Sequence, residues 1–185
     1  MKKTVLTFGL LSGLILATFM LTTIPFMDKI GFDRGMLIGY TGMVAAFLLV
    51  FFGIRSYREN VGGGEISFGK AFKVGMLTVL VASVFYVITW EIVYFNFLPD
   101  FVDKYANYLI EKERAAGASA EEIARQIEQM NSMKAIYNNP LLNAAVTLLE
   151  PLPVGLVMTL ISSAILRKGH KQEIDGPERL EQSAA

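Results

Sequence analysis

Charge is segregated along this chain, and that constrains its fold more than any other feature. Four long apolar runs, residues 4–26, 35–54, 70–98 and 140–166, hold almost no ionised side chains. The stretches between and after them hold nearly all the rest. About 20 apolar residues in a row suffice to cross the roughly 30 Å of bilayer hydrocarbon as a helix. Such a run closes its own backbone hydrogen bonds, as hydrocarbon demands. The expected fold class is therefore all-α, an integral membrane bundle of four transmembrane helices. Overall composition understates the signal. Hydrophobic residues make up 53% of the 185 and charged residues 18%, against about 45–50% and about 25% in soluble domains.

Lys2 and Lys3 precede the first run. A secretory signal has an apolar core of roughly 7–15 residues and a small-residue cleavage site. This run is longer and exits through Thr22-Thr23-Ile24-Pro25-Phe26-Met27 without such a site, so it reads as a retained helix. Gly9, Gly13 and Ala17 recur every fourth residue, a spacing that lets a neighbouring helix approach closely. A short polar turn, Asp28 to Arg34, makes the second run an antiparallel neighbour. Gly35 and Gly39 on its first turns are further packing positions. Glu59 to Ser67 contains Gly62-Gly63-Gly64 and leads to Ser67, an N-cap for the third helix. Gly64 to Ala71 nearly matches the phosphate-binding pattern G-x-x-x-x-G-K-[ST]. It lacks the hydroxyl residue and the preceding strand, which argues against a bound nucleotide. Tyr86, Trp90 and Tyr94 follow at i, i+4, i+8 and read as an aromatic belt at the membrane–water interface.

Residues 99–139 form the one sizeable polar segment, with seven acidic and five basic side chains. Asp100 and Asp103 suit a helix start after Pro99. Gly117-Ala118-Ser119 breaks that helix, and Ser119 with Glu122 makes a capping box for the next. Ile123, Ile127, Met130 and Met133 recur at helical spacing and give one apolar stripe. The expectation is an amphipathic helical insert, with the stripe packed on the bundle or lying in headgroups. The fourth run ends before Arg167-Lys168-Gly169-His170-Lys171, and residues 171–185 read as a disordered tail.

Four spans put both termini on one side. Of the 17 Lys and Arg residues, ten fall on the side of the termini and seven on the other. The positive-inside rule then places both termini, with the tail, in the cytoplasm and the insert outside.

Two carboxylates interrupt the apolar runs, and an intramembrane ionisable group is by default a functional-site hypothesis. Glu91 lies eighteen residues after Lys73, and Glu150 seventeen before Arg167. At ~1.5 Å per residue both sit about 25 Å from the cytoplasmic anchors. The same count brings Thr22, Tyr40 and Tyr94 to that layer. One reading is a polar cluster of Glu91, Glu150, Tyr94, Tyr40 and Thr22 inside the bundle. The other is that Glu150 caps a helix beginning at Pro151 while Glu91 snorkels to the interface. Pro151 and Pro153 each remove a backbone donor, so a kink or break is expected near Glu150. Gly9-Leu10-Leu11 and Gly75-Met76-Leu77, each after a basic start, also raise the reading of a duplicated hairpin in parallel orientation.

The stretch Gly64-Glu65-Ile66-Ser67-Phe68-Gly69-Lys70-Ala71-Phe72-Lys73-Val74-Gly75 resembles the bacterial membrane family called domain of unknown function 4199. So do Pro99-Asp100-Phe101, Glu150-Pro151-Leu152-Pro153-Val154-Gly155, and Leu160 to Leu166. The resemblance covers roughly residues 1–170 and implies a small four-span protein with a polar insert before the last helix. It brings no assigned activity, so no catalytic residue is carried over. A bacterial inner-membrane location follows from it together with the charge bias.

Net charge is zero and cysteine is absent. No nucleic-acid partner, disulfide or thiolate metal site is therefore expected. With no histidine cluster, nucleophile elbow or metal-ligand spacing, neither an enzyme nor a cofactor is expected. The function expected first is a non-enzymatic membrane scaffold or accessory subunit. Its partners would be the lipid bilayer and either further copies of itself or an unidentified membrane protein. The alternative is a small transporter or an ion- or proton-coupling component using Glu91 and Glu150.

Overall fold

The computed structural model describes residues 1–168, so the expectation for the 171–185 tail lies outside the described residues. Among the described residues eight helices follow in order: α1 (Lys2–Thr23), α2 (Met27–Ile30), α3 (Phe32–Asn60), α4 (Phe68–Phe97), α5 (Phe101–Ala115), α6 (Ala120–Tyr137), α7 (Pro140–Leu149) and α8 (Pro151–Leu166). A 3-10 turn, Ile24–Phe26, joins α1 to α2. Among the described residues the one extended pairing is an isolated bridge between Ile66 and Lys168.

Four stretches are long and apolar enough to cross a membrane: Lys2–Ile30, Phe32–Asn60, Phe68–Phe97 and Pro140–Leu166. The second outruns its apolar core at both ends. Charged side chains at a helix end do not stop the helix; a change of backbone hand does. The expected polar turn at Asp28–Arg34 thus shrinks to Gly31, with φ 79°. The link between α3 and α4 turns through Gly63 and Gly64, at φ 64° and 90°.

The distribution of side chains is the reverse of a water-soluble core. Hydroxyl residues Ser12, Thr78, Ser83, Thr159, Ser162 and Ser163 are buried, while Leu37, Leu149 and Ile165 are among the many large apolar residues facing outward. A continuous apolar exterior on this scale belongs in lipid, not water. Lipid tails give helices no hydrophobic reason to associate, so close approach of small residues must hold them together. That is what occurs. A methyl group added at Gly9 would overlap Val81, at Gly13 Phe85, at Gly75 Thr159 and at Gly155 Val79. These contacts join α1 to α4 and α4 to α8. Helices α1 and α8 each pack against both α3 and α4, which also touch each other between them. Gly9 meets α4 while Gly75 meets α8 and α3, so the two glycines of the suspected repeat do not occupy equivalent places.

Phe8 of α1 lies against Gly53 of α3, and Arg58 donates to the Leu166 carbonyl at 3.3 Å. The start of α1, the end of α3 and the end of α8 therefore share one end of the bundle. That end gathers Lys2, Lys3, Arg55, Arg58 and Arg167. The opposite end carries α2 and the insert, which is a hairpin of α5 and α6. Gly117, at φ 85°, turns the chain between them. Ser119 and Glu122 form the capping box reciprocally, and Lys134 of α6 clasps Asp103 of α5 at 2.6 Å.

Candidate functional site: a cavity under the insert

At the insert end the helices part and leave a cavity of about 460 Å³. Its wall is mostly apolar. Leu16 and Met20 come from α1, Gly39 and Met43 from α3, and the roof is the underside of the insert. Six of the chain's nine methionines line it. Met36 and Gly39 both line the cavity and are exposed, so it opens to the surface beside α3.

One carboxylate, Glu150, faces this space. Its position follows from the prolines. Pro151 has no amide to offer the Thr147 carbonyl, and the amide of Glu150 bonds that carbonyl instead at 3.3 Å. The helix is interrupted between α7 and α8 at this residue, as expected. The Tyr86 hydroxyl donates to Glu150 Oε2 at 2.9 Å.

One turn along α4 from Tyr86, the Trp90 indole N–H donates to Asn143 Oδ1 at 3.0 Å. The Thr147 hydroxyl donates to the same oxygen at 3.1 Å, and the Asn143 amide donates to the Tyr137 carbonyl at 3.2 Å. Asn143 is fully buried. It ties α4, α6 and α7 together behind the cavity wall. Tyr137 packs on Tyr94 with ring centroids 5.8 Å apart. Burial pushes its hydroxyl above the ordinary phenol value, and the nearby Glu150 adds to the push.

The roof is fastened by rings and by charge. Phe32, at the start of α3, meets Phe101 edge-on at 5.9 Å and Tyr105 at 5.2 Å. Trp90 meets Phe101 edge-on at 5.2 Å. Lys112 of α5 holds both oxygens of Asp33 at 3.0 Å, and the Asp33 carboxylate keeps the Lys112 ammonium above its ordinary pKa.

The expected polar cluster is only partly assembled. Glu150 lines the cavity, but Glu91 does not. At 3.6 residues per turn Glu91 points about 100° away from Trp90 around α4. Its Oε1 is buried without a hydrogen-bond partner among the described residues. Tyr94 is buried against Trp90 and Tyr137 rather than lining the cavity. Tyr40 is exposed and off the lining. Thr22 is also exposed, its hydroxyl bonded back to Thr18 and Phe19 of its own helix; Thr23 takes its place on the wall.

Two other expectations are corrected. The series Tyr86, Trp90, Tyr94 turns inward to meet α7, α6 and the cavity, not outward as an interfacial belt. Gly39 packs against nothing within 4 Å, and Gly35 meets only the Met27 side chain, so these two do not serve a helix–helix crossing. The insert stripe divides. Met130 and Met133 face the cavity, while Ile127 is exposed.

A family model described as Protein of unknown function (DUF4199) matches residues 7–168. The chain belongs to the DUF4199 family. No curated protein and no solved structure matches it. All side chains of the cavity lie inside the DUF4199 match, as does the whole insert. In this DUF4199 chain the network around Asn143 escapes a reading by charge alone, because it holds no ionised group. A signal was present. Asn143, Thr147 and Glu150 stand at i, i+4, i+7 in an otherwise apolar run, which is one face of a helix.

Proposed function

We propose that this protein is a non-enzymatic, multi-pass protein of the bacterial inner membrane that takes up a small hydrophobic molecule into its cavity. It would act as a small transporter or as the binding component of one. Both termini lie in the cytoplasm and the insert outside. The observation that carries the reading is one carboxylate among the described residues, Glu150, in a mostly apolar chamber of about 460 Å³ beneath the insert. That size and character suit a small-molecule site. Ionisable groups at membrane depth are costly and mark paths or sites. Gly9 and Gly13 are engaged by α4 within the chain, and Met130 and Met133 of the insert stripe face the cavity, which favours the binding reading over the scaffold one.

Native mass spectrometry of the protein extracted in mild detergent tests the proposal. The wild-type chain should carry a small molecule at a fixed ratio. Gly39→Leu, which adds bulk at the cavity mouth, should lose it while staying folded. An unloaded wild type that also takes up no added hydrophobic compound would refute the reading. Single cysteines introduced at Ala120 and Ser56 test orientation in a chain with no native cysteine. An impermeant thiol reagent should label only the first.

A further inference from the structure

We infer that the occupant is a lipophilic cation, an organic ammonium or phosphonium whose charge lies between Glu150 and the surrounding aromatic faces. The inference rests on the cavity-binding reading and names its ligand class. Its first support is the state of Glu150. Its protein partner is the neutral Tyr86 hydroxyl, and no ion pair reaches it among the described residues. Two lysines of the insert above it are taken: Lys112 by Asp33 and Lys134 by Asp103. The Glu150 side chain is open to the cavity, and a carboxylate held at membrane depth without a cation is costly. A cationic ligand would supply the missing charge.

The second support is the wall. Trp90, Phe101, Tyr105 and Tyr137 all line the same chamber as Glu150. Aromatic faces attract cations, most strongly where water is excluded. Among the described residues no lysine or arginine lines the cavity, so none of them there neutralises an anion. The six lining methionines bring polarizable, adaptable surface rather than directional donors. That suits a bulky cation recognised by charge and volume. The third support is the opening beside α3, where outward-facing Leu37 is lipid-type surface. A ligand entering there must be lipophilic.

The test uses Trp90, the one tryptophan in the chain, as a reporter fixed in the site. The intact protein in detergent is titrated with tetraphenylphosphonium, with its isosteric anion tetraphenylborate, and with neutral triphenylmethane. The expected result is a saturable change in Trp90 emission with the phosphonium alone. Glu150→Gln, which keeps an acceptor for Tyr86, should weaken it about tenfold or more, the scale of one charge-assisted contact. Tyr86→Phe leaves the charge in place and should preserve the preference for the cation, so the inference stays testable if Glu150→Gln misfolds. Equal binding of cation and anion, or saturable binding of the neutral compound with no effect of Glu150→Gln, would overturn the cation inference and leave the cavity reading standing. No saturable response to any of the three would overturn both.

Discussion

The two ends of the bundle are built in opposite ways. At the basic end Val50, Ile54, Ala71 and Val74 have no exposed surface. Backbone closes that end: Ile66 and Lys168 exchange both of their amide–carbonyl bonds, at 3.2 and 2.9 Å. At the insert end the helices diverge around a cavity of about 460 Å³. Its cover is held by side chains, through ring contacts and the ion pairs of Lys112 and Lys134. Exposed ion pairs of this kind contribute little to stability. The cover is therefore the part of the fold expected to open first. Tight packing at one end supplies the stability that lets the other end keep a chamber instead of a core.

Glycine substitutions test that contrast most severely. Gly75→Leu drives a side chain into Thr159 and Ile54, and overpacking typically costs about 1–3 kcal/mol, occasionally more. The unfolding midpoint in detergent should fall sharply, or the folded monomer should vanish from gel filtration. Gly39→Leu makes the same change where nothing lies within 4 Å and should leave the midpoint close to wild type. Equal losses at both positions would erase the distinction between the ends.

A smaller loss is expected from Asn143→Ala. It strands the Trp90 indole N–H, the Thr147 hydroxyl and the Tyr137 carbonyl. Unpaired buried polar groups cost about 1–3 kcal/mol. The midpoint should drop, and Trp90 emission should shift with it. An unchanged spectrum would mean the network does not position the indole.

Smaller still is Lys112→Ala. Global stability should barely move, while hydrogen exchange in α5 speeds up and that in α4 does not. The same contact carries a pH signature. Its partners hold Lys112 above its ordinary value of 10.5. Its contribution is thus complete below 10.5 and lost as pH rises through the higher folded value. Alkaline conditions should loosen α5 more in the wild type than in Lys112→Ala. Faster exchange in α4 than in α5 would contradict a side-chain-held cover.

The smallest effect belongs to the capping box. Ser119 holds the Glu122 carboxyl below its ordinary 4.5, so the cap is complete above 4.5 and lost as pH falls through the lower folded value. The first turn of α6 should fray in acid while the basic end stays protected. Exchange in that turn that does not respond to acid would remove the cap from the account.

What could be read without coordinates was local. Span length, the interruption beside Pro151 and the Ser119–Glu122 cap each depend on residues a few positions apart. What could not be read was azimuth. Counting from the lysines sets the depth of Glu91 and Glu150 but not which way each faces, and the two point differently. Tyr86, Trp90 and Tyr94 have a spacing common to an outer belt and an inner stripe; their neighbours on α7 decide. Gly35 and Gly39 carry the same spacing as Gly9 and Gly13, yet α4 fills the space beside Gly9 while none fills that beside Gly39. The sharper clue was polarity without charge at Asn143 and Thr147, on the face that continues to Glu150.

Glu150 occupies the joint between α7 and α8, so the acid and the bend cannot be inherited separately. A descendant that lost Pro151 and Pro153 would straighten the rod and re-aim the carboxylate. One that lost the carboxylate would keep a crease with nothing displayed at its apex. Variation along this lineage should therefore move Glu150, Pro151 and Pro153 together.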